Sequence, residues 1–179
     1  MYQRATTIRQ SCFRHVPAIA LAAWLASSLV SETCQAQLRP SQQTAIADVE
    51  QRSDELKLVN KSIWQFAEVG LMETRSSELL VSKLKENGFE VKVGISDMPT
   101  AFVASFGSGK PVIGILAEYD ALPGMSQRIA PQRIPLEPGA AGHACGHSGL
   151  GTGALGAALA AKAAMEKHGI PGTLRLYGT

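Results

Sequence analysis

Cys145 and His147 lie two positions apart in Gly142-His143-Ala144-Cys145-Gly146-His147, inside the glycine-rich stretch from Gly139 to Gly156. In an irregular loop that spacing points a thiol and an imidazole at one ion. A thiolate and a neutral imidazole are ordinary ligands for zinc and related metals. Glycines remove side chains that would block the approach, and they accept backbone angles that other residues avoid. Two ligands make an incomplete site, so further donors must come from elsewhere in the fold. His143 has three readings here: ligand, hydrogen-bond donor behind the ligands, or loop residue. On spacing alone the pair also lacks the doubled Cys/His pattern of structural zinc motifs.

A second polar group follows the apolar run Val112-Ile113-Gly114-Ile115-Leu116, as Glu118-Tyr119-Asp120. Carboxylates at the C-terminal end of a buried strand sit where open α/β sheets place their ligand crevice. They could bind metal, orient a ligand or cap the next loop. A third pattern, Gly151-Thr152-Gly153-Ala154-Leu155-Gly156, fits the dinucleotide fingerprint and opens a helix. That fingerprint needs a strand directly before it, and residues 142–148 have no strand pattern, so a nucleotide site is not expected.

Helices and strands must position these groups. Ile46, Val49, Leu56, Val59, Ile63 and Phe66 mark one face of a helix starting near Ser41, which is the N-cap by residue type. Trp64 and Phe66 read as core or groove-lining groups. Leu79, Leu80 and Leu84 mark a second helix over 76–87, ended by Gly88. Residues 89–93 alternate as a strand. Residues 100–106 and 111–117 form two more strands, joined by Gly107-Ser108-Gly109-Lys110 as a hairpin, the second being central because it is apolar on both faces. An alanine-rich helix spans about 150–167, with His168 at its end, and residues 173–177 are a last strand. The expected fold class is α/β, a mixed sheet flanked by helices.

The chain has 179 residues and a net charge of +2. Residues 1–36 hold Arg4, Arg9 and Arg14 against Glu32, and without them the chain has fourteen basic and fourteen acidic residues. Bulk charge therefore points to neither nucleic acid nor an anionic membrane as a partner. Three arginines, the apolar run Val16 to Val30 and the ending Cys34-Gln35-Ala36 have the order of a cleaved export signal. This predicts a signal peptide over 1–36, a mature part over 37–179, and a periplasmic or secreted location with no membrane contact after cleavage. Cleavage would remove Cys12 and Cys34 and leave Cys145 without a disulfide partner.

Four blocks occur in order: Ile63-Trp64-Gln65-Phe66-Ala67-Glu68, Pro99-Thr100-Ala101-Phe102, Ala117-Glu118-Tyr119-Asp120-Ala121-Leu122-Pro123-Gly124 and Gly142-His143-Ala144-Cys145-Gly146-His147. Together they resemble the metal-dependent amidohydrolases of peptidase family M-twenty, in the subgroup with aminoacylases and auxin-conjugate hydrolases. The resemblance covers about residues 43–179. It implies the di-metal exopeptidase-like fold, two divalent metal ions (manganese or zinc), and hydrolysis of an amide bond in a small N-acyl amino acid or aminobenzoyl-glutamate-like substrate. It implies Cys145 and His147 as metal ligands and Asp120 as a supporting catalytic carboxylate, and it leaves the role of Glu118 open. Ser148 departs from the Asn or Asp usual after Cys-Gly-His. In the family a paired-glutamate loop with the general base, more histidine ligands and a dimerising lid domain follow the last strand. The expectation is an N-terminal portion of the catalytic domain, inactive alone and homodimeric at full length. The competing readings are an exported non-catalytic α/β binding module and an inactive gene remnant.

Overall fold

The computed structural model describes residues 37–179, so the expected export signal lies outside the described residues. Helix α1 is Pro40–Gln51, α2 is Ser53–Phe66 and α3 is Thr74–Glu86. Strand β1 is Glu90–Val93, β2 is Phe102–Ser108 and β3 is Val112–Ala117. Helix α4, His147–His168, and strand β4, Gly172–Gly178, complete the unit. Among the described residues no helix is long and apolar enough to cross a membrane.

The strands form one mixed sheet in the order β1-β2-β4-β3. β1 and β4 run antiparallel to β2, and β3 runs parallel to β4. This corrects the expected hairpin. Residues 102–108 pair along their full length with residues 172–178, so β4 takes the place beside β2 and separates it from β3. It also corrects the expected central position of the apolar strand. Among the described residues β3 lies at the sheet edge, with Val112, Ile113 and Leu116 exposed at 48%, 55% and 60%. A run apolar on both faces marks a strand that is covered or one that is bare, and periodicity does not separate the two.

The register puts Phe102, Ala104, Leu174, Leu176 and Ala117 on one sheet face, and all are buried. Val59 and Ile63 of α2, Leu80 and Leu84 of α3 and Leu155, Ala158 and Leu159 of α4 pack against them. Small residues let α4 approach closely: a Cβ on Gly156 would meet Leu56 of α2 at 3.1 Å.

The single helix expected from Ser41 is broken at Arg52, whose side chain pairs with Asp48 at 3.0 Å and Glu55 at 3.6 Å. The break lets α1 lie on α4, where Thr44 Oγ1 meets His168 Nε2 at 2.8 Å. Ile46 and Val49, counted above on the same helix face, are therefore exposed, while Val59 and Ile63 enter the core. The first helical residue is Pro40, and Arg39 holds the N-cap position instead of Ser41. Proline suits that first position because its missing N–H would have no helical partner.

Candidate metal centre

Residues 118–121 leave the end of β3 and are held on both sides. Ala121 N–H donates to the Glu68 carbonyl at 2.7 Å, just past α2. Leu122 and Gly142 exchange two backbone hydrogen bonds, each 3.0 Å, which bring the 143–147 segment alongside. Helix α4 starts at His147 itself, with Gly146 in the left-handed region at φ 85°. That start is three residues earlier than the alanine-rich pattern indicates, and it fixes His147 on a rigid element.

Tyr119 sets the direction of its neighbours. Its ring is fully buried and stacks on Phe102 at 6.0 Å, and its hydroxyl donates to the Thr100 carbonyl at 2.6 Å. Ser77 Oγ donates to the same carbonyl at 2.7 Å, and Thr100 Oγ1 donates to the buried Glu73 carboxylate at 2.7 Å. In extended backbone the flanking side chains point the other way. Glu118 and Asp120 accordingly both face His147, with Asp120 Oδ1 2.5 Å from Nδ1 and Glu118 Oε2 3.2 Å from Nε2.

Burial pushes the Tyr119 phenol up to about 12. Unfolded, a phenol ionises near pH 10, so between about 10 and 12 the unfolded chain binds fewer protons and stability falls as pH rises. Below about 10 this contribution is fully present. Tyr119→Phe is expected to cost about 1–2 kcal/mol at neutral pH and to remove an alkaline loss of about 2–3 kcal/mol. Denaturant melts at pH about 9 and about 11.5 check this: equal alkaline losses in both proteins would show that Tyr119 is not the group responsible.

His143 takes the loop-residue role. Its Nε2–H donates to the Ile63 carbonyl at 2.9 Å and ties the last turn of α2 to the loop. Burial holds its pKa below the ordinary value, and its Nδ1 is buried without a hydrogen-bond partner. Cys145 is a free, exposed thiol. Among the described residues, no group of three or more His, Cys, Asp or Glu side chains is arranged to hold a metal ion. The structure thus brings Asp120 and His147 together, adds Glu118, and leaves Cys145 at the surface of the same loop.

The donor set can still be tested against a metal. A neutral imidazole carries one N–H. With that proton at Nδ1, directed to Asp120, the Nε2 lone pair faces a carboxylate oxygen at 3.2 Å. A cation shared between these two acceptors, a second proton or a metal ion, satisfies both. Zinc bonds of about 2.0–2.2 Å in a tetrahedral shell put neighbouring ligand atoms roughly 3.3–3.5 Å apart. The 3.2 Å between His147 and Glu118 lies just short of that spacing, and the residues present fit part of a metal site.

Two roles gave no signal in sequence. Glu68 caps α3 from outside the helix: its carboxylate accepts from the Arg75 N–H at 3.0 Å, the Ser76 N–H at 2.9 Å and Ser76 Oγ at 2.8 Å. Carboxylates favour helix N-termini, but nothing local to residues 74–76 shows that one arrives from residue 68. Phe66, expected in the core or a groove, is half-buried beneath the Arg75 guanidinium, 3.9 Å from its ring centroid.

The fold is shared with solved metallopeptidases. It is similar to a dinuclear metal-binding peptidase of family M-twenty from Bacillus subtilis, at TM-score 0.55 and 23% identity, over 70% of this chain and 34% of that one. No family model matches the chain. Two curated relatives do. A component of the p-aminobenzoyl-glutamate hydrolase of Escherichia coli K12 is 48% identical over 117 residues, covering 65% of this chain and 24% of the relative. The hippurate hydrolase of Campylobacter jejuni is 33% identical over 123 residues, covering 69% of this chain and 30% of the relative. In sequence and fold the chain resembles the amidohydrolases of peptidase family M-twenty, and its match spans about a quarter to a third of the length of these two relatives.

Proposed function

We propose that these residues form part of the centre of a metal-dependent hydrolase that cleaves the amide bond of an N-acyl amino acid, of the aminobenzoyl-glutamate kind. The carrying observation is His147, with Asp120 on one ring nitrogen and a second carboxylate facing the other, directly after Cys145 and Gly146. Asp120 accepts the Nδ1 proton, which fixes the tautomer and orients the ring, the usual part of a carboxylate behind a metal-binding histidine. His147 then presents Nε2, and Cys145, as a thiolate, joins it as a ligand. Glu118 faces the same nitrogen and is placed to share the cation. Two divalent ions bound at such a centre supply Lewis acidity toward a carbonyl and an activated water. Thiolate and imidazole favour zinc, while the carboxylates also accept manganese.

Support for the substrate class comes from the two relatives, whose names specify aminobenzoyl-glutamate and hippurate, both N-aroyl amino acids. Export is also part of the proposal, carried by the basic–apolar–small order of residues 1–36. Both carboxylates at the site are committed to His147, so neither is free as a general base toward water. The 179-residue polypeptide alone is therefore expected to hydrolyse benzoyl-glutamate negligibly while still taking up zinc. Competition with a chromophoric chelator checks the metal: Cys145→Ala should weaken zinc uptake at least about tenfold. Equal uptake by both proteins would remove Cys145 from the ligand set, and rapid turnover by the polypeptide would contradict the missing base.

A further inference from the structure

Residues 123–141 leave the centre at the Leu122–Gly142 bridge and return to it, and this loop walls a cavity of about 790 Å3. That size falls within the range of about 300–1,000 Å3 typical of small-molecule sites. Trp64, from the last turn of α2, lines one side, and Met125 and Leu136 add apolar wall. His143 and Ala144 line it as well, and the chain runs from them directly into Cys145.

Arg128 and Arg133 also line the cavity. The loop that carries them is tied around one side chain. Gln127 Nε2 donates to the carbonyls of Arg128 at 3.0 Å and Gln132 at 2.7 Å, and its Oε1 accepts the Ile134 N–H at 3.1 Å. Arg128 N–H closes the same turn on the Ile134 carbonyl at 2.9 Å. The backbone at both arginines is thus fixed. Among the described residues neither guanidinium has a carboxylate within 4.0 Å, the ion pairs being made by Arg52, Lys57, Lys83, Lys162 and His147. Two unpaired guanidinium groups, in a pocket with an indole wall, suit a ligand with a flat apolar part and at least one carboxylate.

We infer that this cavity is the specificity pocket for an anionic N-aroyl amino acid, with the aromatic ring against Trp64 and the carboxylates on Arg128 and Arg133. The inference rests on the amidohydrolase reading for the identity of the ligand as an amide. On this reading the scissile bond would lie at the His143–Ala144 end of the cavity, where the chain continues into Cys145.

The chain has two tryptophans, so Trp24→Phe leaves Trp64 as the reporter. In EDTA, N-benzoyl-glutamate should quench Trp64 emission saturably, and neutral benzamide should bind more weakly. Arg128→Gln and Arg133→Gln should each weaken N-benzoyl-glutamate about tenfold and leave benzamide unchanged. The lysine variants Arg128→Lys and Arg133→Lys should recover part of the loss, which separates lost charge from a damaged loop. Absence of saturable quenching, equal losses for the charged and neutral probes, or unchanged affinity in both glutamine variants would overturn the assignment. Zinc uptake by the same proteins without EDTA should not change. Loss of zinc binding with intact N-benzoyl-glutamate binding would count against the metal centre alone.

Discussion

Gly142→Ala is expected to disable the site and to cost about 3 kcal/mol or more, the upper part of the range for overpacking. A Cβ there would lie 2.7 Å from the Met125 carbonyl carbon, closer still to its oxygen, and 3.0 Å from Ser126 Cα. All three are backbone atoms, so no side chain can swing aside to relieve the contact. The only relief is separation of the two segments. That breaks the paired hydrogen bonds between Leu122 and Gly142, and the 3.0 Å bond from Ser126 N–H to the Ala140 carbonyl. Gly142 directly precedes His143, so the anchor to Ile63 moves with it, and the cavity loses its closing edge. A denaturant melt and zinc competition on one preparation check this. A variant of wild-type stability with full zinc uptake would show that the bridge does not hold the loop.

His147→Ala should have the largest effect on metal, weakening uptake by more than about a hundredfold, beyond the 10–100-fold that loss of a supporting partner costs. It also leaves Glu118 and Asp120, each within 3.2 Å of the same ring, without the group between them. The Glu118 side chain is 42% exposed, so water can reach it once the ring is gone, and the loss of metal should outweigh any loss of stability. Zinc competition on both proteins checks this: uptake within about tenfold of wild type would remove His147 from the ligand set.

Two of the helices and the Cys-Gly-His loop were legible because their signals are local, whereas the break at Arg52 was not. Leucine spacing marked α3, alanine content marked α4, and the Cys-Gly-His block stood out by composition. Sheet order was not legible. β2 and β3 are close in sequence and invite pairing, yet the partner that each takes, β4, arrives after a twenty-two-residue helix. Nothing in residues 102–117 encodes that competition. The contact of Glu118 with His147 was invisible for a related reason: it depends on Tyr119 reaching Thr100, a carbonyl nineteen residues upstream. The pocket loop had no periodicity to read, because Gln127, one polar residue among many, supplies its order from inside.

The outer flank of β3 has a practical consequence. Among the described residues, six residues of extended backbone present an unpaired row of donors and acceptors beside bare Val112, Ile113 and Leu116. Such a margin adheres to any extended segment that meets it, another copy included. Handling of this polypeptide will therefore be limited by how concentrated a solution it tolerates, well before the folding of its interior becomes the difficulty.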